Sequence, residues 1–180
     1  MSIKIIYFVH GTTTDNEAGK STGSAGGELS ELGIRQAKDL QDQVKEKDFG
    51  VMFCSDLKRA IDSANLGFEG CCPIVQDKRL RECNYGDLTQ ANEELVNYYE
   101  HIETPFPNGE SLKDVEERIR DFIEHLKKEH DDKFVAIMGH KAPQLALEVV
   151  LNGKTWEQAL REDWRNKKAW QPGWVYNISC

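Results

Sequence analysis

The chain has 180 residues, of which 39% are hydrophobic and 30% charged, a composition typical of one globular domain over residues 1–180 that buries a core without disulfides or a structural metal. Its formal net charge of −8 argues against a nucleic-acid partner, which normally requires a basic surface. The apolar runs are far shorter than the about 20 residues that cross a bilayer, and Met1 leads into a predicted strand without a signal-peptide pattern, so we expect a cytoplasmic protein that does not bind membranes.

Predicted strands and helices alternate through the first half of the chain. A β-branched and aromatic run predicts a buried strand over residues 5–9, and a loop rich in Gly, Ser and Thr follows it over residues 11–28. Ser30 is a candidate N-cap of a helix whose apolar residues recur at helical spacing, namely Leu32, Ala37, Leu40 and Val44. The next predicted elements are a short buried strand, a helix and a further strand, at residues 50–55, about 56–66 and 74–75.

The second half continues the alternation. Turn-forming residues end a polar and aromatic stretch over residues 90–104, and an amphipathic helix follows with one apolar face, formed by Val115, Ile119, Phe122, Ile123 and Leu126. A second buried strand covers residues 134–138, a helix covers about 143–151, and the tail carries Trp156, Trp164, Trp170 and Trp174. The alternation predicts a three-layer α/β/α fold with a mostly parallel central sheet and helices on both faces.

Two histidines follow the two longest predicted strands, near opposite ends of the chain. His10 precedes Gly11 after the first strand, and His140 follows Gly139 after the second. Ligands of open α/β sheets bind at the carboxyl edge of the strands, where these histidines would meet. One such histidine is often a structural residue with satisfied hydrogen bonds, but the repeated arrangement favours a functional site.

An arginine and a glutamate occupy similar junctions. Arg59 falls in the first turn of a predicted helix, where its guanidinium and the helix N-terminus could both bind a phosphate, although a surface arginine explains the pattern equally well. Glu82 lies in a loop of mixed apolar residues and glycine, where partial desolvation suits a proton donor. The five cysteines include no CxxC pair, so neither a zinc knuckle nor a redox dithiol is supported, and we find no other metal-ligand spacing.

Six short segments, in this order, resemble the motifs of the histidine phosphatase superfamily, also called the phosphoglycerate mutase-like proteins. They lie within roughly residues 3–150 and are His10-Gly11, Leu29-Ser30-Glu31-Leu32-Gly33, Ser55-Asp56-Leu57-Lys58-Arg59-Ala60, Leu80-Arg81-Glu82, Asn108-Gly109-Glu110-Ser111-Leu112 and Gly139-His140. The resemblance implies a metal-independent phosphatase without a cofactor, which acts on a small phosphorylated molecule through a phosphohistidine intermediate.

The resemblance also implies a role for each site residue. His10 would be the nucleophile, and Arg59 and His140 would bind the phosphate oxygens. Glu82 would protonate the leaving alkoxide and then activate the attacking water. The substrate-binding entrance would be lined by Gly11, Asn16, Thr22 and Gly23.

Some positions depart from the pattern of the family. Val9 stands where members usually carry an arginine before the nucleophile, and Thr12 stands where a glutamate often follows. The lost charge-assisted hydrogen bond is worth about 1.5 to 3 kcal/mol, so the phosphatase activity could be weak. Lys141 follows His140 where the family usually has a small residue, and its ammonium either reaches the same phosphate or faces solvent at a helix start.

The substrate is less defined than the reaction. Residues 83–109 separate Glu82 from Glu110, and mutases of the family usually carry a long insertion there, so this short segment favours hydrolysis over intramolecular transfer. Candidate substrates are small phosphate esters or a nucleotide-loop phosphate such as α-ribazole phosphate. The aromatic residues Tyr98 and Tyr99 and the tail tryptophans either stack on such a ligand or pack in the protein core. Two alternatives stay open, a mutase acting on a sugar phosphate and a weakly active or non-catalytic phospho-ligand binding protein.

Overall fold

The computed structural model describes residues 2–130, 133–167 and 173–179. Its centre is a five-stranded sheet, whose strands in chain order are β1 (Ser2–Val9), β2 (Val51–Cys54), β3 (Ile74–Gln76), β4 (Phe134–Gly139) and β5 (Trp174–Ser179). They lie side by side in the order β3-β2-β4-β1-β5. The first four strands are parallel to one another, while β5 pairs antiparallel with β1. The mostly parallel sheet predicted from the sequence is confirmed.

Helices cover both faces of this sheet. The α-helices of the described residues are α1 (Thr14–Glu17), α2 (Glu31–Val44), α3 (Lys58–Phe68), α4 (Leu112–Glu129), α5 (Lys141–Asn152) and α6 (Trp156–Arg161). Apolar residues of α2 and α3 pack on one face, and those of α4, α5 and α6 pack on the other, which confirms the three-layer fold. Shorter 3₁₀ turns lie at Lys78–Leu80, Gly86–Leu88, Glu93–Leu95, Tyr98–His101 and Trp164–Lys167. None of the helices in the described ranges is long and apolar enough to cross a bilayer.

Side-chain caps and apolar faces explain where the long helices lie. Ser30 accepts a hydrogen bond from the backbone N–H of Gly33 at the start of α2, and Ser111 forms a capping box with Asp114 at the start of α4. The apolar residues predicted on one face of α4 are all buried. Leu32 is 42% exposed, in contrast, so the buried face of α2 does not include it.

The structure differs from the predicted elements near the C-terminus. α5 begins at Lys141, earlier than predicted, because Pro143 in the first helical turn needs no hydrogen-bonded N–H. The tail, predicted only as rich in tryptophan, forms α6 and the edge strand β5, where Trp174 pairs with Tyr7 of β1. Trp170 lies outside the described residues.

The register of β1 and β4 brings the two predicted histidines together. Val9 pairs with Gly139 in this parallel ladder, so His10 and His140 are the next residues of the two strands at the carboxyl edge. The backbone N–H of His10 also donates to the Gly139 carbonyl at 3.2 Å. Because α3 and α5 follow β2 and β4, their N-termini lie at the same edge.

Candidate active site

A buried tyrosine hydroxyl fixes the main chain at His140. Tyr7 of β1 accepts a hydrogen bond from the His140 N–H and donates one to the His140 carbonyl, both at 2.8 Å. A Cβ atom on Gly139 would lie 2.1 Å from this hydroxyl, so the close approach requires glycine. The apolar pattern of β1 gives no sign of this contact, which depends on the pairing of two strands that are distant in sequence.

The hydrogen bonds of His10 define its tautomer. Its Nδ1 lies 2.7 Å from the Gly11 carbonyl, which can only accept, and its Nε2 lies 3.2 Å from Nε of Arg59, which can only donate. Nδ1 therefore carries the proton, and Nε2 keeps its lone pair. Burial and the neighbouring charge of Arg59 lower the pKa of His10 from 6.5 to about 3. The imidazole is consequently neutral at pH 7, the state that a nucleophile needs.

Arg59 lies beside this imidazole in the first turn of α3, where the sequence predicts it. The residue is 2% exposed. Its terminal nitrogens donate to the carbonyls of Gly23 at 2.6 Å, Ala25 at 2.5 Å and Gly26 at 3.1 Å. Since these loop carbonyls are neutral, they orient the guanidinium without cancelling its charge, which can attract an anionic ligand.

Glu82 lies at the N-terminus of α5. Its Oε1 accepts hydrogen bonds from the backbone N–H groups of Cys83 at 2.9 Å and Ala142 at 3.0 Å. Its Oε2 accepts one from the backbone N–H of Lys141 at 3.1 Å. These donors fix the orientation of the carboxyl group, while Oε2 retains a lone pair for one further hydrogen bond. The candidate proton donor is 7% exposed and faces the same pocket as His10.

The imidazole of His140 is completely buried next to that of His10. The two ring centres are 5.0 Å apart, and neither ring nitrogen of His140 has a hydrogen-bond partner among the described residues. Burial and the neighbouring charge of Arg59 hold the pKa of His140 well below its usual range. A neutral imidazole of this kind offers one N–H donor to a phosphate oxygen placed beside His10.

A pocket of about 550 Å³ opens at this edge of the sheet. Its lining includes most of the predicted site residues, namely His10, Gly11, Asn16, Thr22, Gly23, Arg59, Glu82 and Lys141. Trp164, one of the tail tryptophans that could stack on a ligand, also lines the pocket, and so do residues that no sequence motif marks, among them Lys20, Gln36, Glu93 and Arg165. His140 is not among the lining residues, but its buried ring lies next to that of His10. We call His10, Arg59, Glu82 and the adjacent His140 the pocket floor. Within residues 2–130, 133–167 and 173–179, no group of three or more His, Cys, Asp or Glu residues is arranged to hold a metal ion.

The predicted entrance residues belong to the loop between β1 and α2. Asn16 accepts hydrogen bonds from the N–H and the hydroxyl of Thr13, which close the capping box of α1. The Thr22 hydroxyl donates to Asp15 at 3.0 Å, and Gly23 has a φ of 53°, a conformation that favours glycine. These residues line the pocket and, through their local contacts, also determine the fold of its entrance loop.

Lys141 lines the pocket, and its side chain is 30% exposed. Its Nζ lies 4.5 Å from the centre of the Tyr98 ring and 3.5 Å from Oδ2 of Asp163. Burial lowers the pKa of Lys141, although the Asp163 carboxylate acts in the opposite direction. The side chain of Asp163 is 1% exposed, so a buried carboxylate holds this ammonium beside the pocket.

An arginine of the tail lies on the same side of the pocket. Nη1 of Arg165 donates to Oδ1 of Asp163 at 2.9 Å and to Oε1 of Gln144 at 3.2 Å. Its guanidinium carbon lies 4.8 Å from the ring centre of Trp164 and 5.6 Å from that of Trp174. The tryptophans are visible in the sequence, but no motif marks Arg165, because two of its partners, Gln144 and Trp174, come from separate segments. We call Tyr98, Lys141, Asp163, Trp164 and Arg165 the pocket wall.

Proteins of similar sequence and structure include phosphatases. Phosphoserine phosphatase 1 of Hydrogenobacter thermophilus is 27% identical over 162 residues, which cover 84% of this chain and 77% of that protein. The metal-independent phosphoserine phosphatase of Arabidopsis thaliana is 29% identical over 152 residues, which cover 76% of this chain and 63% of that protein. The crystal structure of the α-ribazole phosphatase from Shigella flexneri superposes with a TM-score of 0.77 at 25% identity, covering 88% of this chain and 84% of that one.

The family itself follows from a match along nearly the whole chain. The sequence profile of the histidine phosphatase superfamily (branch 1) matches residues 6–172, a range that contains all six motif segments. The predicted reaction class, hydrolysis of phosphate monoesters, agrees with the phosphatases among the relatives. Because this match spans most of the chain, the chain belongs to branch 1 of the histidine phosphatase superfamily.

Proposed function

We propose that this chain hydrolyses the ester bond of a small phosphorylated metabolite in two steps, with the phosphoryl group carried on Nε2 of His10 between them. The family and its phosphatase relatives support this activity. The observation that carries the mechanism is the neutral imidazole of His10, whose Nε2 accepts a hydrogen bond from Arg59 at the pocket floor. A neutral ring nitrogen beside a fixed positive charge is suited to attack a bound phosphoryl group.

In the first step, the lone pair of His10 Nε2 forms a bond to phosphorus as the bond from phosphorus to the ester oxygen breaks. The Arg59 guanidinium and the His140 ring would bind the other phosphoryl oxygens and stabilise the charge that they carry in the transition state. The imidazole becomes positively charged as it forms the new bond. The Gly11 carbonyl, 2.7 Å from Nδ1, stabilises that charge by accepting the Nδ1 proton in a hydrogen bond.

Glu82 would move the protons of both steps. Its protonated carboxyl group donates to the leaving alkoxide, and the resulting carboxylate then takes a proton from the attacking water. The water oxygen bonds to phosphorus while the bond from phosphorus to Nε2 breaks, which releases phosphate and restores neutral His10. The free lone pair on Oε2 is the position from which this proton exchange would occur.

The same scheme needs no metal ion, since Arg59 supplies positive charge at the phosphoryl group. Val9 lines the pocket and stands where the family usually has an arginine, so that arginine is missing from the phosphate-binding site. Without that arginine, a second cation for the phosphate must come from elsewhere in the pocket.

The assignment of residues 1–180 to one domain and the cytoplasmic location also remain predictions.

Hydrolysis is favoured over mutase-type transfer by the segment above the floor. Residues 83–109 contain short 3₁₀ turns at Gly86–Leu88, Glu93–Leu95 and Tyr98–His101, and no α-helix lies among them. A mutase must retain its phosphorylated intermediate away from water, and this short segment offers little cover for that purpose. The relatives described above act on phosphoserine or α-ribazole phosphate by name, so we propose substrates of that size.

The test is phosphate release in the presence of a chelator. We expect the purified protein to hydrolyse p-nitrophenyl phosphate, phosphoserine or α-ribazole phosphate with full activity in EDTA. Rapid quenching with a ³²P-labelled substrate should trap an acid-labile phosphoprotein. Activity that appears only with a divalent ion would contradict the mechanism, transfer without phosphate release would support the mutase alternative, and vanadate binding without turnover would support a binding protein.

A further inference from the structure

We propose that Arg165 is the second phosphate-binding arginine of this pocket and takes over the task of the arginine that Val9 replaces. This inference rests on the proposed function, because it assumes that a phosphoryl group binds at His10. Arg165 comes from the 3₁₀ turn Trp164–Lys167, far along the chain from the nucleophile. The tertiary structure nevertheless places it on the lining of the same pocket as Val9, His10 and Arg59.

The two terminal nitrogens of Arg165 differ in their hydrogen bonding. Nη1 donates to Asp163 and Gln144, whereas Nη2 is buried and has no hydrogen-bond partner in the described part of the chain. Buried N–H groups in proteins almost always have partners. A guanidinium that is anchored on one side and has unused N–H donors on the other is suited to bind phosphate oxygens.

The guanidinium of Arg165 is held rigidly. The guanidinium packs on Trp164 and Trp174, and Trp174 in turn makes an edge contact with Tyr7 at 6.4 Å between ring centres. Tyr7 is the residue whose hydroxyl holds the backbone of His140. Arg165 is therefore fixed against the strand that carries the nucleophile, which reduces the entropy lost when a ligand binds.

The charge of Arg165 acts on the proposed nucleophile. The charge of Arg165 contributes to the low pKa of His10, after burial and Arg59, so the guanidinium lies within electrostatic range of the imidazole. Its buried partner Asp163 accepts its Nη1–H and also lies 3.5 Å from Lys141 Nζ. Asp163 is thus a positioning residue for two cations. Since the one carboxylate of Asp163 balances only one of the two positive charges on Lys141 and Arg165, the other is available to the phosphoryl group.

The test compares Arg165→Met with Arg161→Met. Arg161 is a matched control because it lies only one turn away, is 67% exposed and does not line the pocket. We expect Arg165→Met to weaken inhibition by vanadate and to lower kcat/KM for p-nitrophenyl phosphate by about 10- to 100-fold, the value of a lost charge-assisted hydrogen bond. Arg161→Met should leave both quantities unchanged.

Two further variants keep the test decisive. Arg165→Lys preserves the charge but loses the paired donors, so we expect a smaller loss of vanadate affinity, and it supplies the measurement if Arg165→Met does not fold. Val9→Arg combined with Arg165→Met should recover part of the affinity. Unchanged vanadate inhibition in folded Arg165→Met overturns this inference and leaves the proposed function standing. If Arg165→Met does not fold, unchanged inhibition in Arg165→Lys has the same meaning. Wild-type protein that neither binds vanadate nor releases phosphate overturns the proposed function with it.

Discussion

The floor and the wall of the pocket are held in place by different interactions. On the floor, His10 and His140 extend two neighbouring parallel strands, and backbone groups, the Tyr7 hydroxyl and the Gly11 carbonyl fix their positions. On the wall, Lys141 and Arg165 are long side chains that meet at one carboxylate and pack on aromatic rings. The floor therefore depends on the backbone, and the wall depends on side chains.

The contrast is sharpest between His140 and Lys141, which are adjacent in sequence. The His140 residue is fully buried and its ring lies beside that of His10, whereas the side chain of Lys141 is 30% exposed and its ammonium lies 3.5 Å from the Asp163 carboxylate. We infer that floor residues determine the rate of the chemical step and that wall residues determine how tightly the phosphoryl group binds. The kinetic predictions below test this division, and the prediction on stability tests how the floor is buried.

Replacement of His10 by alanine should have the largest effect. We expect kcat to fall by about 10⁴-fold or more, as when a covalent nucleophile is removed from other enzymes, and the acid-labile label to disappear. The measurements are p-nitrophenyl phosphate turnover and rapid-quench labelling. His101→Ala is the control, since His101 stacks on Phe106 outside the pocket lining. A labelled His10→Ala protein would place the phosphoryl group on another residue.

Glu82→Gln should separate two kinds of leaving group. We expect kcat for phosphoserine to fall by about 10²- to 10⁴-fold, the usual contribution of a general acid. Turnover of p-nitrophenyl phosphate should fall much less, because nitrophenolate leaves without a proton. Glu93→Gln, another change on the pocket lining, should affect both substrates equally and weakly. A loss of the same size for both substrates in Glu82→Gln would argue against proton donation by this residue.

The pH dependence of stability tests the buried state of His10. Its pKa is about 3 in the folded protein, so the folded state keeps it neutral at pH 5 while the unfolded chain binds a proton near pH 6.5. Its contribution to the free energy of unfolding is fully present above pH 6.5 and declines toward pH 3. We expect about 2 kcal/mol to be lost between pH 7 and pH 5. Urea unfolding at several pH values should show a smaller decline in His10→Ala than in wild type; parallel declines would mean that His10 is not buried as a neutral group.

Lys141→Ala should have the smallest effect of this series. Because this ammonium is already paired with Asp163, we expect KM to rise by about 10-fold, equal to about 1.4 kcal/mol, with little change in kcat. Steady-state kinetics would measure both constants. The control is Lys154→Ala, which breaks ion pairs with Glu148 and Glu162 instead. A large fall in kcat at constant KM would place Lys141 functionally with the floor and not with the wall.

The sequence by itself determined most of the fold and predicted which residues form the floor. Alternating apolar runs predict the parallel strands, and Ser30 and Ser111 mark helix starts through local hydrogen bonds. His10 and His140 can be found because they follow strands, and Arg59 because it begins a helix, and parallel strands bring such ends together. Glu82 lies in a loop and can be found only through the short motif Leu80-Arg81-Glu82. The same logic does not reach β5, whose antiparallel pairing with β1 at the sheet edge has no local signature in the tryptophan-rich tail.

Tertiary structure alone decided how these groups are held and what forms the wall. The contact between the Tyr7 hydroxyl and the His140 backbone requires two strands from opposite ends of the chain. Likewise, Asp163 and Arg165 carry no recognisable motif, and their value depends on which distant side chains lie within hydrogen-bond distance. Sequence patterns report local backbone preferences and burial, whereas the direction of a charged side chain depends on contacts that only the folded chain creates.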